Sequence, residues 1–308
     1  MEDVSDPPFR RLCKMHGADL MYSEFISSEG LIRDAIKSKK KLDIFDYERP
    51  IGIQIFGGDE DAMSLSSKIV ETVQPDLVDI NFGCPVKKVA CKGAGAGVLK
   101  DIDLMVRLTR AVVRNTHLPV TVKTRLGWDE SSINIDEVAE RLQDEGIQAL
   151  TIHARTRSQM YKGHSDWSYI ARVKNNPRIK IPIFGNGDIN SARKAKEYKE
   201  TYDVDGIMIG RASIGNPWIF SQIKHFLKTG EELPPPTLEQ RIEAAKNHAI
   251  WSVEWKGERT GLLEMRQHYS NYFRGIPNFK SYKTKLLSAI SLCELEQVFT
   301  DLLENENE

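Results

Sequence analysis

A thiol stands in Asn81-Phe82-Gly83-Cys84-Pro85, directly after the apolar run Leu77-Val78-Asp79-Ile80. A β-branched run ending in Gly-Cys-Pro places Cys84 at the carboxyl end of a buried strand. Glycine lets backbone approach a ligand there, and proline stops the strand. In parallel α/β folds that end is where chemistry is built. Lys92-Gly93-Ala94-Gly95-Ala96-Gly97 follows within one loop length and is expected to be mobile enough to close over a substrate. An isolated cysteine in such a place is often a small buried side chain; its neighbours favour chemistry.

Other strand ends carry polar residues of matching kind: Gln54, Asn81, Lys123 with Arg125, His153 with Arg155, Asn186-Gly187-Asp188 and Gly210-Arg211. Lys123 interrupts the β-branched run Val120-Thr121-Val122-Lys123-Thr124. A charge there is costly without a partner, so a ligand or a carboxylate is expected to face it. Gly185-Asn186-Gly187-Asp188 and Gly210-Arg211-Ala212 each follow a late strand and precede a helix. Exposed N–H groups and helix N-termini suit anions, and barrels commonly hold phosphate after their last two strands. No Walker A or Gly-x-Gly-x-x-Gly follows a strand, so neither ATP nor a Rossmann-bound dinucleotide is indicated.

Short apolar strands near 19–23, 51–56, 77–82, 119–124, 148–153, 181–185 and 205–210 position these residues. Helices near 6–16, 59–74, 101–116, 132–145, 167–175, 190–201 and 215–228 separate them. This alternation predicts an α/β fold, a (β/α)8 TIM barrel. Seven strands are visible and the first element is a helix, so the first barrel strand is expected upstream of Met1. An open doubly wound sheet is the structural alternative. Leu233-Pro234-Pro235-Pro236-Thr237 reads as a stiff linker. It divides a catalytic barrel, 1–233, from an all-helical domain, 237–308, with helices over 238–254, 259–273, 281–290 and 292–303. The acidic end, Glu304-Asn305-Glu306-Asn307-Glu308, is expected to fray.

The 308 residues are 40% hydrophobic and 28% charged, as in an ordinary soluble protein. A formal net charge of −1 gives no global pull on nucleic acid, so any such binding needs a local patch. No apolar run approaches the ~18 residues of a membrane span, and no signal peptide is visible. Cys13, Cys84, Cys91 and Cys293 are few and irregularly spaced, which suits a reducing cytoplasm better than a disulfide framework. The spacing of Cys84 and Cys91, without clustered histidines, predicts no metal site.

The motifs resemble those of the tRNA-dihydrouridine synthases. Residues 1–10, Met1-Glu2-Asp3-Val4-Ser5-Asp6-Pro7-Pro8-Phe9-Arg10, resemble the family's opening flavin-binding motif, and Asn81 to Val89 its catalytic-cysteine motif. Further blocks are similar at 122–128, 152–156, 186–189 and 209–212. Lys87-Lys88-Val89 and Gly215-Asn216-Pro217-Trp218-Ile219-Phe220 look like the bacterial B-type branch. The resemblance implies an FMN enzyme that reduces uridine in tRNA to 5,6-dihydrouridine with electrons from NADPH. Hydride would reach C6 from reduced flavin and a proton would reach C5 from Cys84. A thiol of ordinary pKa, about 8.5, is mostly protonated at neutral pH and can serve as that acid. Met1, Glu2, Gln54 and Lys123 would hold the flavin, and Asn186, Gly187, Asp188, Gly210 and Arg211 its ribityl phosphate. His153 joins the flavin set and Asn81 the substrate set; both line one pocket that the resemblance does not divide. Lys87, Lys88, Arg125 and Arg155 would serve the entering base.

The helical tail carries the nucleic-acid signal. From Met265 to Lys285 there are five basic residues, Arg266, Arg274, Lys280, Lys283 and Lys285, and no acid. His268, Tyr269, Tyr272, Phe273, Phe279 and Tyr282 interleave them. Basic charge grips phosphates, and aromatic faces stack on unpaired bases. With the nucleic-acid signal of the tail, the resemblance implies tRNA as the partner, bound by a monomeric cytoplasmic enzyme without membrane or metal. Three other readings compete: a small-molecule FMN oxidoreductase of the dihydroorotate dehydrogenase kind, a Schiff-base aldolase using Lys123, and a non-catalytic tRNA-binding protein.

Overall fold

A computed structural model describes residues Met1–Glu304; Asn305-Glu306-Asn307-Glu308, most of the end expected to fray, lie outside the described residues. The strands are β1 Met21–Tyr22, β2 Ile26–Ser27, β3 Ile51–Phe56, β4 Leu77–Asn81, β5 Val120–Arg125, β6 Ala149–His153, β7 Ile183–Asn186 and β8 Gly206–Met208. All pair in parallel, in the order β1-β3-β4-β5-β6-β7-β8. β2 also pairs with β3, Ile26 opposite Ile55, while β1 sets Met21 opposite Ile51. The two short strands are thus successive pieces of one strand position, and the sheet has seven positions.

The order never reverses. A doubly wound sheet turns back at a switch point, whereas a barrel steps one strand at a time in one direction. The fold class is therefore the α/β barrel type, and the open doubly wound alternative does not apply. Among the described residues no ladder joins β8 to β1.

Strand composition explains the layers. Ile51, Ile53, Ile55, Val78, Ile80, Val120, Val122, Leu150, Ile152 and Ile183 occupy alternate positions, and none is more than 3% exposed. Burying each such side chain contributes about 1.5–3 kcal/mol. The intervening positions put Gln54, Asp79, Asn81, Thr121, Lys123, Arg125, Thr151 and His153 on the opposite face, because side chains alternate along a strand. Helices Glu60–Thr72, Ile102–Val113, Ile135–Asp144, Ser168–Lys174 and Ala192–Tyr202 connect the strands. Asp59, Asp101 and Ser191 cap three of them by accepting from Ala62, Leu104 and Lys194 N–H groups. Two short helices that the pattern did not reveal, Ser28–Ile32 and Ile36–Lys40, lie between β2 and β3.

By packing, the chain forms two compact units: Met1–Glu2 with Asp19–Gly210, and Asp3–Ala18 with Arg211–Glu308. This differs from a division at the triple proline. Helix Pro7–Met15, capped by Asp6, groups with the helices Leu238–Lys256, Glu258–Tyr272, Phe279–Ser288 and Leu292–Glu304. Leu12 lies in their core beside Leu238, Ile242, Met265 and Phe299. Asp6 also pairs with Lys256 at 2.5 Å, both nearly buried.

Candidate active site at the strand ends

The parallel register lays the inward polar residues in rows. Gln54 and Thr121 flank Asp79 in one row; Asn81, Lys123 and Thr151 form the next; Arg125, His153 and Asn186 form a third nearest the strand ends. A hydrogen-bond relay crosses them. Asp79, buried, accepts from Thr121 Oγ1 at 2.5 Å and from Gln54 Nε2 at 2.6 Å. Gln54 Oε1 in turn accepts from Asn81 Nδ2 at 2.7 Å. Asn81 Oδ1 then accepts from the backbone N–H groups of Gly83 and Cys84, both at 2.9 Å. The carboxylate fixes which way each amide faces, and the last amide fixes the loop that carries the thiol. Asp79 and Thr121 are not among the predicted site residues; an acid inside Leu77-Val78-Asp79-Ile80 is the signal that reveals the first.

Burial pushes the Cys84 thiol above its ordinary value, and the charge of Glu2 adds to that; the Val86 N–H, Arg125 and Lys123 oppose it. The thiol therefore stays protonated at neutral pH. The later half of the Gly-rich segment beside it is packed and is not a free lid. Gly95–Lys100 forms a 3-10 turn in which Gly95, Ala96 and Gly97 are buried. A Cβ at Gly97 would lie 2.3 Å from the Ala90 carbonyl oxygen. One at Gly95, where φ is +54°, would lie 3.1 Å from Cys84 Cβ. These glycines allow close packing rather than motion.

Lys123 is half-buried, with no ion-pair or hydrogen-bond partner among the described residues. Burial and the Arg125 charge lower its pKa to about 8, against the pull of Asp79 and Cys84. Burial raises Asp79 to about 6, while Thr121, Gln54 and Lys123 oppose the rise. The cation and the carboxylate thus share one poorly solvated interior without forming an ion pair.

Arg125 and Arg155, expected to face the base, are instead internal braces. Arg125 is 2% exposed and donates to the carbonyls of Gly83, Thr156 and Met160. Arg155 is equally buried and pairs with Asp188 at 2.6 Å while donating to the Gly163 carbonyl. Asp188, at φ +55°, and Gly187, at +133°, turn the chain sharply after β7. The ion pair pins that turn, and Asn186 Nδ2 donates to the Met208 carbonyl at 2.8 Å. His153 lies beside Arg155, its Nε2 3.4 Å from the guanidinium.

Met1 and Gly210, from opposite ends of the first unit, come together: a Cβ on Gly210 would meet Met1 Sδ at 3.8 Å and nothing nearer. Glu2 pairs with Lys41 at 2.5 Å. Lys87 and Lys88 are exposed on the short helix after Cys84. Arg211 begins the turn Arg211–Ser213 and belongs to the second unit.

The tail corrects an expectation. His268, Tyr269, Tyr272 and Phe273 are buried, and Phe279 and Tyr282 pack partly against the same helical core. The four buried rings hold the bundle together and offer no stacking faces, while Phe279 and Tyr282 stay partly exposed. Of the cations, Arg274 and Lys285 are exposed and Lys283 half-buried; Arg266 is half-buried, with its Nε buried and unpartnered. Lys285 reaches Asp301 at 3.3 Å. Among the described residues, no helix is long and apolar enough to cross a membrane, and no group of three metal-ligating side chains occurs.

A one-direction parallel sheet, with a thiol and an unpaired lysine at its strand ends, has the architecture of a barrel enzyme. The chain belongs to the dihydrouridine synthase family: it matches the family described as Dihydrouridine synthase (Dus) over residues 1–306. It is 38% identical to a probable tRNA-dihydrouridine synthase of Rickettsia bellii over 284 residues, 92% of this chain and 86% of that one. It is 38% identical to tRNA-dihydrouridine synthase B of Pseudomonas putida over 285 residues, 92% of this chain and 84% of that one. Among solved structures, histamine dehydrogenase from Rhizobium sp. 4-9 superposes with a TM-score of 0.55 at 9% identity, over 80% of this chain and 46% of that one. A 2-naphthoyl-CoA reductase complex superposes with 0.53 at 12%, over 73% and 47%. These two likenesses concern the fold alone, and the chain spans about half the length of each.

Proposed function

We propose that this protein reduces uridine in tRNA to 5,6-dihydrouridine, with FMN as cofactor and NADPH as electron source. The observation that carries the reading is the relay from Asp79 to the backbone N–H of Cys84, which fixes a protonated thiol at the strand ends. Family membership and the curated relatives support the substrate.

The interior donors fit a flavin. Lys123 is a cation without an internal partner, and Gln54 keeps a second amide proton after serving Asp79. Both suit the polar edge of a ring that becomes anionic when reduced. His153 and Met1 join the flavin set by the motif resemblance. The turn Asn186-Gly187-Asp188 and the open backbone at Gly210 suit the phosphate, with Arg211 following in the motif. Bound FMN supplies hydride chemistry toward C6 of the base.

Cys84 supplies the proton. Its S–H bond breaks as a C–H bond forms at C5, and the thiolate left behind recovers a proton from water. Lys123 and Arg125 stabilise that thiolate, as their lowering influence on Cys84 indicates. Asn81 serves as a positioning residue for Cys84 and borders the base. Arg125 and Arg155 act through the loops they brace. Lys87, Lys88, Arg266, Arg274, Lys283 and Lys285 meet tRNA phosphates. The enzyme works as a monomer in the cytoplasm, a reducing compartment to which four free thiols are suited.

Dihydrouridine mapping tests the reading. tRNA from a strain lacking the gene should regain dihydrouridine at defined positions when the gene is restored, but not with Cys84→Ala. General-acid catalysis is typically worth about 10²–10⁴-fold. An unchanged dihydrouridine map on deletion refutes the proposal.

A further inference from the structure

Trp128 carries two cations on one indole. Lys100 Nζ lies 3.9 Å and Arg157 Cζ 4.5 Å from its ring centroid. Their separation therefore cannot exceed the sum of those distances. Neither cation has an ion-pair partner among the described residues, and Arg157 Nε is buried without a hydrogen-bond partner. The acids adjacent in sequence are otherwise engaged: Asp101 caps helix Ile102–Val113, and Asp129 accepts from Ser131 and Ser132. Glu130 pairs with neither cation. Two like charges this close repel, an anion held beside them relieves the repulsion, and an aromatic ring holds each without neutralising it.

The location narrows the ligand. Lys100 closes the turn after Cys84, Trp128 follows β5 with its Lys123 and Arg125, and Arg157 follows β6 with its His153 and Arg155. Three consecutive strand-end loops thus bring the stack to the same end of the sheet as the thiol. We infer that Lys100 and Arg157, seated on Trp128, clamp a backbone phosphate of the RNA strand whose base enters the site. This rests on the proposed tRNA reading and adds a phosphate grip on the first unit, apart from the helical tail. Arg offers a planar fork to phosphate oxygens and Lys a point charge. An extruded base needs its flanking phosphate held.

The test is binding of an unmodified tRNA transcript to the full-length protein at several salt concentrations. Lys100→Gln/Arg157→Gln should bind at least tenfold more weakly at low salt. Its log affinity should fall less steeply with log salt, by about 0.7–0.9 for each phosphate no longer neutralised. The charge-retaining Lys100→Arg/Arg157→Lys should restore most of the slope, which separates charge from folding. A neutralised variant with wild-type affinity and slope overturns the clamp alone, since the wild-type protein still binds. Wild-type protein that binds no tRNA at low salt overturns the tRNA reading with it. A variant with wild-type tRNA binding but a raised NADPH requirement would assign the cations to the phosphate of the reductant and overturn the clamp.

Discussion

Asn81 Oδ1 accepts two backbone hydrogen bonds, from Gly83 and from Cys84, each at 2.9 Å. One side-chain oxygen at the end of β4 therefore sets the path of the chain through Cys84. Asn81→Ala leaves both buried N–H groups without an acceptor, at about 1–3 kcal/mol each. It should lower the melting temperature and reduce single-turnover tRNA reduction. Cys84 should at the same time become more accessible to alkylation, read peptide by peptide by mass spectrometry because Cys91 and Cys293 are exposed. Wild-type alkylation at Cys84 together with wild-type turnover would show that the loop holds itself.

Asp79 anchors the far end of that relay. Its folded pKa is raised to about 6, above the unfolded carboxylate range near 3.9. Between those values the folded state binds more protons, so this group's contribution to stability falls as pH rises from about 4 through 6. Asp79→Asn should remove that slope from urea midpoints measured over pH 4–7. An amide cannot accept from Gln54 and Thr121 with both its atoms, so the relay loses its orientation. Turnover at neutral pH should drop tenfold or more, since small misplacements in a site can cost up to ~10²-fold. Retained turnover would relegate Asp79 to packing.

The strand pattern made much of this legible. Alternation predicts the strands to within a few residues, and a charge inside a β-branched run marks Lys123. The same logic marks Asp79, which hides inside a run that reads as apolar up to Cys84. The relay itself depends on register, because Gln54, Asp79 and Thr121 meet only when three strands align. Alternation within one strand says nothing about the height of its neighbour. The tail shows the opposite case. Met265, His268, Tyr269, Tyr272 and Phe273 follow the three- and four-residue steps of a single helix face. That spacing announces a core stripe, and the structure buries all five. Arg125 and Arg155 could not be assigned from sequence, since Arg125 is held by carbonyls of distant loops and Arg155 by the Asp188 carboxylate after another strand.

Lys123 costs the fold stability, because burial disfavours its charged form. Its pKa is lowered to about 8, whereas the unfolded chain keeps the proton up to about 10.4. Between those values the unfolded state binds more protons, so stability rises with pH across that window. Lys123→Met keeps the length and removes the charge. It should stabilise the flavin-free protein at pH 7, abolish the rise between pH 8 and 10, and leave purified protein with little bound flavin. A variant as yellow as wild type would remove Lys123 from the cofactor set.

In the proposed reading, the tail of the second unit meets tRNA charge by its cations alone. Replacing Arg266, Arg274, Lys283 and Lys285 with glutamine should flatten the salt dependence of tRNA binding, by about 0.7–0.9 in log–log slope for each phosphate left without its cation. Little stability should go with it. The Lys285–Asp301 pair is at the surface, and exposed pairs are worth about 0–1 kcal/mol. The aromatic residues should behave in the reverse way. Phe273 is 1% exposed in the helical core, so Phe273→Ala should cost about 3–5 kcal/mol and leave the salt slope of the folded fraction unchanged. Chemical unfolding and binding titrations on both proteins separate the two effects. If the neutralised tail keeps the wild-type slope, the bundle is purely structural and the tRNA is gripped from the strand-end loops.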